Sequence, residues 1–152
     1  MSVKQTAREQ YQAQVDIASG SNIEVPAEGW IRTVRKALGM SGTQLAKRLG
    51  VTRARIAQAE KSEIEGGVTL KSMKAAAEAM GCRFVYAFVP PDTIENVIVA
   101  QARKKAQAIV GRAGNHMALE NQATTESRTE HEIARLMNEL IYEMPADFWQ
   151  DR

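Results

Sequence analysis

Basic and polar side chains are concentrated in residues 41–61, whose sequence is SGTQLAKRLGVTRARIAQAEK. The pattern is two short helices joined through Gly50-Val51-Thr52, where a small residue permits a sharp turn. The second helix can present polar side chains from its N-terminal end, the arrangement that enters the major groove of DNA. Apolar residues that lock the two helices together are Leu45, Ala46, Leu49, Val51 and Ile56. The segment predicts a helix-turn-helix, and the alternative is an ordinary helical hairpin in an unrelated all-α protein.

The distribution of charge singles out the same part of the chain. The 152 residues include 20 basic and 18 acidic side chains, for a formal net charge of +2. Residues 30–90 hold eleven basic and four acidic side chains, whereas both flanks are acidic. A positive middle between acidic flanks favours a polyanion-binding module with appended segments of another purpose. On charge alone, a solvated basic surface is equally consistent.

Helical periodicity and capping residues predict the elements that position this segment. Residues 1–29 are expected to form an N-terminal helix and a turn-rich linker, and residues 30–81 a four-helix DNA-binding domain. Ser41 stands three residues before Gln44, which is a capping-box spacing. Thr52 and Thr69 are placed to cap the next two helices.

The period changes from 3.6 to 2 after this domain. Residues 82–90 combine β-branched and aromatic residues and end at a proline pair, which predicts one β-strand. A single strand is not stable alone, and the chain offers no convincing second one. The economical solution is a homodimer in which two copies pair this strand antiparallel. The residues of the expected dimer strand are Arg83, Phe84, Val85, Tyr86, Ala87 and Phe88.

Residues 91–152 predict a helical extension. One helix is expected over 93–111 after a cap at Asp92, and another after a capping box formed by Thr129 and Glu132. Their apolar stripes suit either dimerisation or partner binding, and the sequence does not decide between these uses. The fold class is therefore mainly α, with one dimerising strand.

Catalytic and metal-binding patterns are weak in this sequence. The two histidines, His116 and His131, lack the spacing of metal ligands, and Cys82 is the only cysteine. Glu63 and Glu65 have no partnered base and are interpreted as solvated loop residues. We therefore expect no enzyme activity, no cofactor and no metal. With no signal-like or membrane-spanning segment, we expect a cytoplasmic protein.

Residues 30–82 resemble the Xre/Cro repressor family. The resemblance is carried by Met40-Ser41, Leu45-Ala46, Leu49-Gly50-Val51-Thr52, Ile56 and Glu60. Two positions depart from the family pattern. Gly42 replaces a glutamine that clamps a phosphate, and Ser62 replaces a glycine after the third helix. The first departure puts one phosphate contact in doubt.

The resemblance implies a role for individual side chains. The expected base-reading residues are Arg53, Ala54, Arg55 and Gln58, although Arg55 is also placed for a phosphate. The expected phosphate contacts are Ser41, Thr43, Lys47, Arg48, Thr52 and Lys61. Arg35 and Glu60 occupy the positions of a structural ion pair between the first helix and the recognition helix.

A wider stretch, AEAMGCRFVYAFVPPDTIENVIVAQARKKAQ with the later HMALENQA, resembles the mobile mystery protein A family. This resemblance implies an antitoxin-like autorepressor encoded beside a Fic-domain partner. Glu120-Asn121 fits the inhibitory motif of Fic proteins, but His116 stands where that motif has serine or threonine. The alternative function is a protein-interaction antitoxin in which DNA binding is secondary or lost.

Overall fold

A computed structural model describes residues 3–114 and 122–151. These residues form helices separated by turns, which confirms the mainly helical class. In chain order the helices are α1 (Val3–Asp16), α2 (Trp30–Ala37), α3 (Gly42–Leu49), α4 (Arg53–Glu65), α5 (Leu70–Ala79), α6 (Ile94–Gly114) and α7 (Gln122–Glu143). The chain divides into two compact units. One comprises residues 22–87, and the other combines residues 1–21 with 88–152.

The unit of residues 22–87 is built by α2 to α5 around one apolar core. Leu45 is completely buried at its centre, and each fully buried leucine of this kind stabilises a fold by about 1.5–3 kcal/mol. Leu49 packs against the core from its edge, while Val51 remains 39% exposed. The predicted lock between α3 and α4 therefore depends less on Val51 than the sequence suggested. The buried core residues are Ile31, Leu45, Ala46, Ile56, Met73, Ala76 and Met80.

The helix ends of this unit follow the predicted capping pattern. Ser41 Oγ accepts a hydrogen bond from the Gln44 amide (3.1 Å), and the Gln44 side chain accepts one from the Ser41 amide (2.8 Å). Thr52 Oγ1 accepts from the Arg55 amide at 3.2 Å, and Thr69 caps α5 in the same way. Each such cap stabilises a helix by about 1 kcal/mol. These local contacts fix where α3, α4 and α5 begin.

The predicted β-strand over 82–90 is wrong for the single chain. None of the described residues forms a strand, and the segment between α5 and α6 has no regular secondary structure. The physical reason is that β-branched and aromatic residues supply only a preference, whereas a strand exists through hydrogen bonds to a neighbour. The correction concerns Arg83, Phe84, Val85, Tyr86, Ala87 and Phe88. Of these, Phe84 is half-buried against the core, whereas Phe88 is 89% exposed.

The second unit is organised around the pair α6 and α7. Ala102 of α6 is fully buried, and its small side chain allows the fully buried Phe148 to fold back onto the helix. Gln101 Nε2 donates to the Phe148 carbonyl oxygen at 2.8 Å, which holds this C-terminal turn in place. Helix α1 contacts α6, and Asp16 Oδ1 at the end of α1 accepts from the Ile94 amide at 3.0 Å.

Both long helices extend beyond their predicted ends. Helix α6 continues through Gly111, because one interior glycine costs only about 1 kcal/mol and its apolar neighbours sustain the helix. Helix α7 begins at Gln122, so Thr129 and Glu132 lie inside it and do not cap its start. Within the described ranges, no helix is long and apolar enough to cross a membrane.

Candidate nucleic-acid interface

The N-terminal ends of α3 and α4 lie side by side. The chain leaves α3 through Gly50, whose φ of 68° is left-handed, and the Val51 amide returns a hydrogen bond to the Ala46 carbonyl at 2.9 Å. Glycine adopts this left-handed backbone conformation without strain. A Cβ placed on Gly42 would lie 3.9 Å from Cγ of Arg53. The stem of Arg53 therefore lies near the first residue of α3, where a Cβ would make an ordinary van der Waals contact with it.

Helix α4 has an inner and an outer face with different chemistry. Ile56 is buried in the core on the inner face, where Glu60 and Glu63 are partly buried. The outer positions Arg53, Ala54, Arg55 and Gln58, predicted to read bases, are all exposed. Within the described part of the chain, the guanidinium groups of Arg53 and Arg55 have no hydrogen-bond or ion-pair partner.

Among the residues of this outer set, Gln58 has a side-chain hydrogen bond within the described part of the chain. Its Nε2 donates to Ser62 Oγ at 3.2 Å, one turn further along the same face. A glutamine hydrogen-bonded to a neighbouring hydroxyl has less rotamer freedom to lose when it contacts a ligand. Ser62, where the Xre/Cro pattern has glycine, therefore orients a predicted base-reading residue.

The six residues predicted to contact phosphates differ in whether their side chains already bond to other groups of the protein. Lys47 is exposed and has no ion-pair partner among the described residues, and Thr43 is exposed. Arg48 instead donates from Nε to the Ala79 carbonyl oxygen at 2.6 Å, which closes the end of α5. Lys61 lies 3.9 Å from Glu65 in an exposed pair. The hydroxyls of the two remaining residues, Ser41 and Thr52, accept the capping hydrogen bonds.

Arg35 and Glu60 form an ion pair between α2 and α4. Arg35 Nε donates to Glu60 Oε1 at 2.7 Å, and Nη2 reaches Oε2 at 3.4 Å. Arg35 Nη1 also donates to the Met40 carbonyl oxygen at 3.0 Å, in the turn that leads to α3. Because both side chains are at most 15% exposed, the pair is shielded from water. One arginine thus connects three elements of the unit.

Glu63 is the residue that sequence reasoning missed. Its carboxylate accepts hydrogen bonds from the backbone amides of Trp30 (2.6 Å) and Ile31 (2.9 Å), so it caps the start of α2. The interpretation of Glu63 as a solvated loop residue is wrong, because α4 continues to Glu65. A signal was present in the sequence: α2 follows Gly29, which offers no side-chain acceptor for the first amides of a helix.

The predicted partner-inhibitory residues, Glu120 and Asn121, lie outside the described residues, as does His116. For the residues that are described, no group of three or more His, Cys, Asp and Glu side chains is arranged to hold a metal ion.

Comparison with protein families assigns the unit that carries α2 to α5. The family model described as Helix-turn-helix matches residues 31–86. This segment is a DNA-binding helix-turn-helix domain of the Xre/Cro type. Its α3 and α4 are the two helices of the motif, and α4 is the helix that presents Arg53 and Arg55. Neither the curated proteins nor the solved structures gave a match to the chain.

Proposed function

We propose that the protein is a sequence-specific transcriptional repressor that binds double-stranded DNA through α4 and controls its own operon in the cytoplasm. The observation that carries this proposal is the outer face of α4, where two exposed arginines have no partner within the described residues. A guanidinium group donates two parallel hydrogen bonds to a guanine edge, and each such pair gives about 1–3 kcal/mol of discrimination against the wrong base. Arg53 and Arg55 supply two of these groups within one helical turn.

The charges of α4 are separated in a way that supports DNA binding. Glu60 and Glu63 are engaged by α2 on the inner face, so neither carboxylate neutralises the cations of the outer face. Lys47 on α3 adds a third exposed cation without a partner among the described residues. Cations that are free in the unbound protein release phosphate counterions without first breaking an ion pair.

Binding-site selection tests this function. Wild-type protein is incubated with duplexes that contain about two helical turns of random sequence, and the bound DNA is amplified and sequenced. We expect enrichment of one defined motif. The double variant Arg53→Ala/Arg55→Ala should lose the preference for that motif. Arg128→Ala, which removes an exposed arginine from α7, is the matched control and should retain it. Enrichment of no motif by the wild type would refute the proposed function.

We further propose that two copies assemble through the connecting segment 83–89. Val85 and Tyr86 are more than 60% exposed. The backbone of residues 83–89 makes no hydrogen bond within the described part of the chain. Unpaired backbone groups beside exposed apolar side chains form a template for pairing with another chain. A second copy satisfies both requirements and places two α4 helices on one duplex.

Sedimentation equilibrium tests the assembly. Wild-type protein at micromolar concentration should sediment as a dimer, and Phe88→Lys should shift it to monomer. The footprint of the wild-type dimer on DNA should contain two half-sites about one helical turn apart. A monomeric wild type would remove the dimer proposal while leaving DNA binding by α4 to be judged by selection.

The antitoxin alternative has its own experiment. Co-expression with a Fic-domain protein encoded beside this gene should relieve growth inhibition, and Glu120→Ala should abolish that relief. Relief that persists in Glu120→Ala would exclude the Glu120-Asn121 motif as the inhibitory element. No relief by the wild type would exclude the antitoxin role.

A further inference from the structure

The carboxylate of Glu63 connects α4 to the start of α2. Its Oε2 accepts a hydrogen bond from the Trp30 amide at 2.6 Å, and its Oε1 accepts one from the Ile31 amide at 2.9 Å. The N-terminal amides of a helix carry a partial positive charge, which favours an anion at this place. The cap comes from a residue 32 positions away from Ile31 in the sequence. The cap therefore fixes the position of α4 against α2 as well as the residue at which α2 begins.

Gly29 makes room for this contact. Its backbone is left-handed, with φ of 82°, and it contributes no side-chain cap. A Cβ on Gly29 would lie 2.9 Å from Cδ of Glu63, which is closer than real Cβ contacts allow. The left-handed backbone favours glycine here, and a Cβ would push the Glu63 carboxylate away from the amides that it caps. The sequence places a glycine where the carboxylate of a distant helix must approach the backbone.

Glu60 and Glu63 hold the same face of α4 at two points. Glu60 contacts Arg35, and Glu63, one turn later, contacts the first residues of α2. Ile56 in the core already orients this face of α4, and the two polar contacts a turn apart limit the rotation of the helix further. The outer face of α4 carries Arg53 and Arg55, so their direction follows the rotation of the whole helix.

We propose that Glu63 is a positioning residue for base reading, which acts through the orientation of α4. This inference rests on the proposed function. Bidentate pairing with a base edge depends on the angle of the guanidinium plane, whereas attraction to phosphates depends mainly on charge. Loss of the Glu63 contact should therefore reduce binding to the preferred DNA sequence and leave binding to random DNA nearly unchanged.

The experiment compares two affinities for each protein. The probes are the duplex enriched by the wild type and a shuffled duplex of the same composition. Glu63→Gln keeps the shape but removes the charge and one of the two acceptors. Glu65→Gln is the matched control, because Glu65 ends the same helix and faces only Lys61 in an exposed pair. Gly29→Ala perturbs the same contact from the opposite side without changing any charge.

We expect Glu63→Gln and Gly29→Ala to lower affinity for the enriched duplex about tenfold, the loss of one good base contact. Affinity for the shuffled duplex should change less than about twofold, and Glu65→Gln should keep the wild-type ratio. Circular dichroism and thermal melting establish that each variant is folded at the assay temperature. Proportional losses on both duplexes, or an unfolded Glu63→Gln protein, would show that Glu63 serves stability alone and would overturn the inference. Failure of the wild type to prefer any duplex refutes the proposed function itself.

Discussion

Replacement of Arg35 by alanine tests how firmly α4 is held against α2. The Arg35 side chain is 15% exposed and that of Glu60 12%. Removing one member of a largely buried pair costs about 3–5 kcal/mol, because the other charge stays buried without its partner. The Met40 carbonyl also loses a donor at 3.0 Å. Because water still reaches part of the pair, we expect the low end of this range, a loss of about 3 kcal/mol in the free energy of unfolding.

Such a loss is large for the unit that carries α2 to α5, because a unit of this size has a total stability of about 3–10 kcal/mol. Urea unfolding followed by Trp30 fluorescence measures it. The chain has two tryptophans, so the measurement is made with Trp149 replaced by phenylalanine. Trp30 is the first residue of α2 and reports the element that Arg35 holds.

Lys36→Ala is the matched control. Lys36 follows Arg35 in the same helix and pairs with Glu28 at 3.1 Å, but both side chains are about half exposed. Exposed pairs of this kind contribute about 0–1 kcal/mol. In the double variant Arg35→Met/Glu60→Leu, an apolar pair should recover most of the stability. A loss from Arg35→Ala no larger than that from Lys36→Ala would refute the reasoning.

Three further changes test other parts of the structure. Phe148→Ala should lower the unfolding free energy of the unit that contains α6 and α7 by about 3–5 kcal/mol, because the ring is fully buried; an unchanged urea midpoint by Trp149 fluorescence, with Trp30 replaced by phenylalanine, would contradict this. Gly50→Ala should lower the melting temperature through a cost of about 1–2 kcal/mol at φ 68°, and an unchanged melt would exclude the left-handed turn. The hydrogen bond from Lys104 lowers the pKa of Asp151 below its ordinary value of 3.8. The contribution of this pair to stability is therefore present at neutral pH, and it is lost as the pH falls below 3.8 and through the lowered pKa. With Trp30 replaced by phenylalanine, Trp149 fluorescence should show this acid transition and a weaker one after Asp151→Asn, and identical profiles would be inconsistent with it.

The parts of the fold that local chemistry determines could be predicted from the sequence. The Ser41–Gln44 capping box and the Thr52 and Thr69 caps depend on residues within one turn of each other. The Gly50 turn is equally local. These features set where α3, α4 and α5 begin, and hence which residues lie on the outer face of α4.

The parts that depend on distant contacts could not be predicted. Glu63 looked solvated because its partners are backbone amides of a helix more than thirty residues earlier. Arg48 looked free to contact phosphate, although it closes the end of α5 through the Ala79 carbonyl. The predicted strand failed for a related reason, because the pattern of residues 82–90 cannot provide its own neighbour.

The dependence of DNA binding on salt tests the central claim most directly. Lys47, Arg53 and Arg55 are exposed cations without ion-pair partners in the described ranges. Lys47 and Lys61 are predicted phosphate contacts, and Arg55 is placed for one as well. If all three neutralise a phosphate, the logarithm of the binding constant should fall with the logarithm of salt concentration with a slope of about −3 per copy. Lys47→Ala should reduce the magnitude of that slope by about 1. A wild-type slope near zero would contradict the account, since a helix-turn-helix that binds DNA with these cations must release counterions.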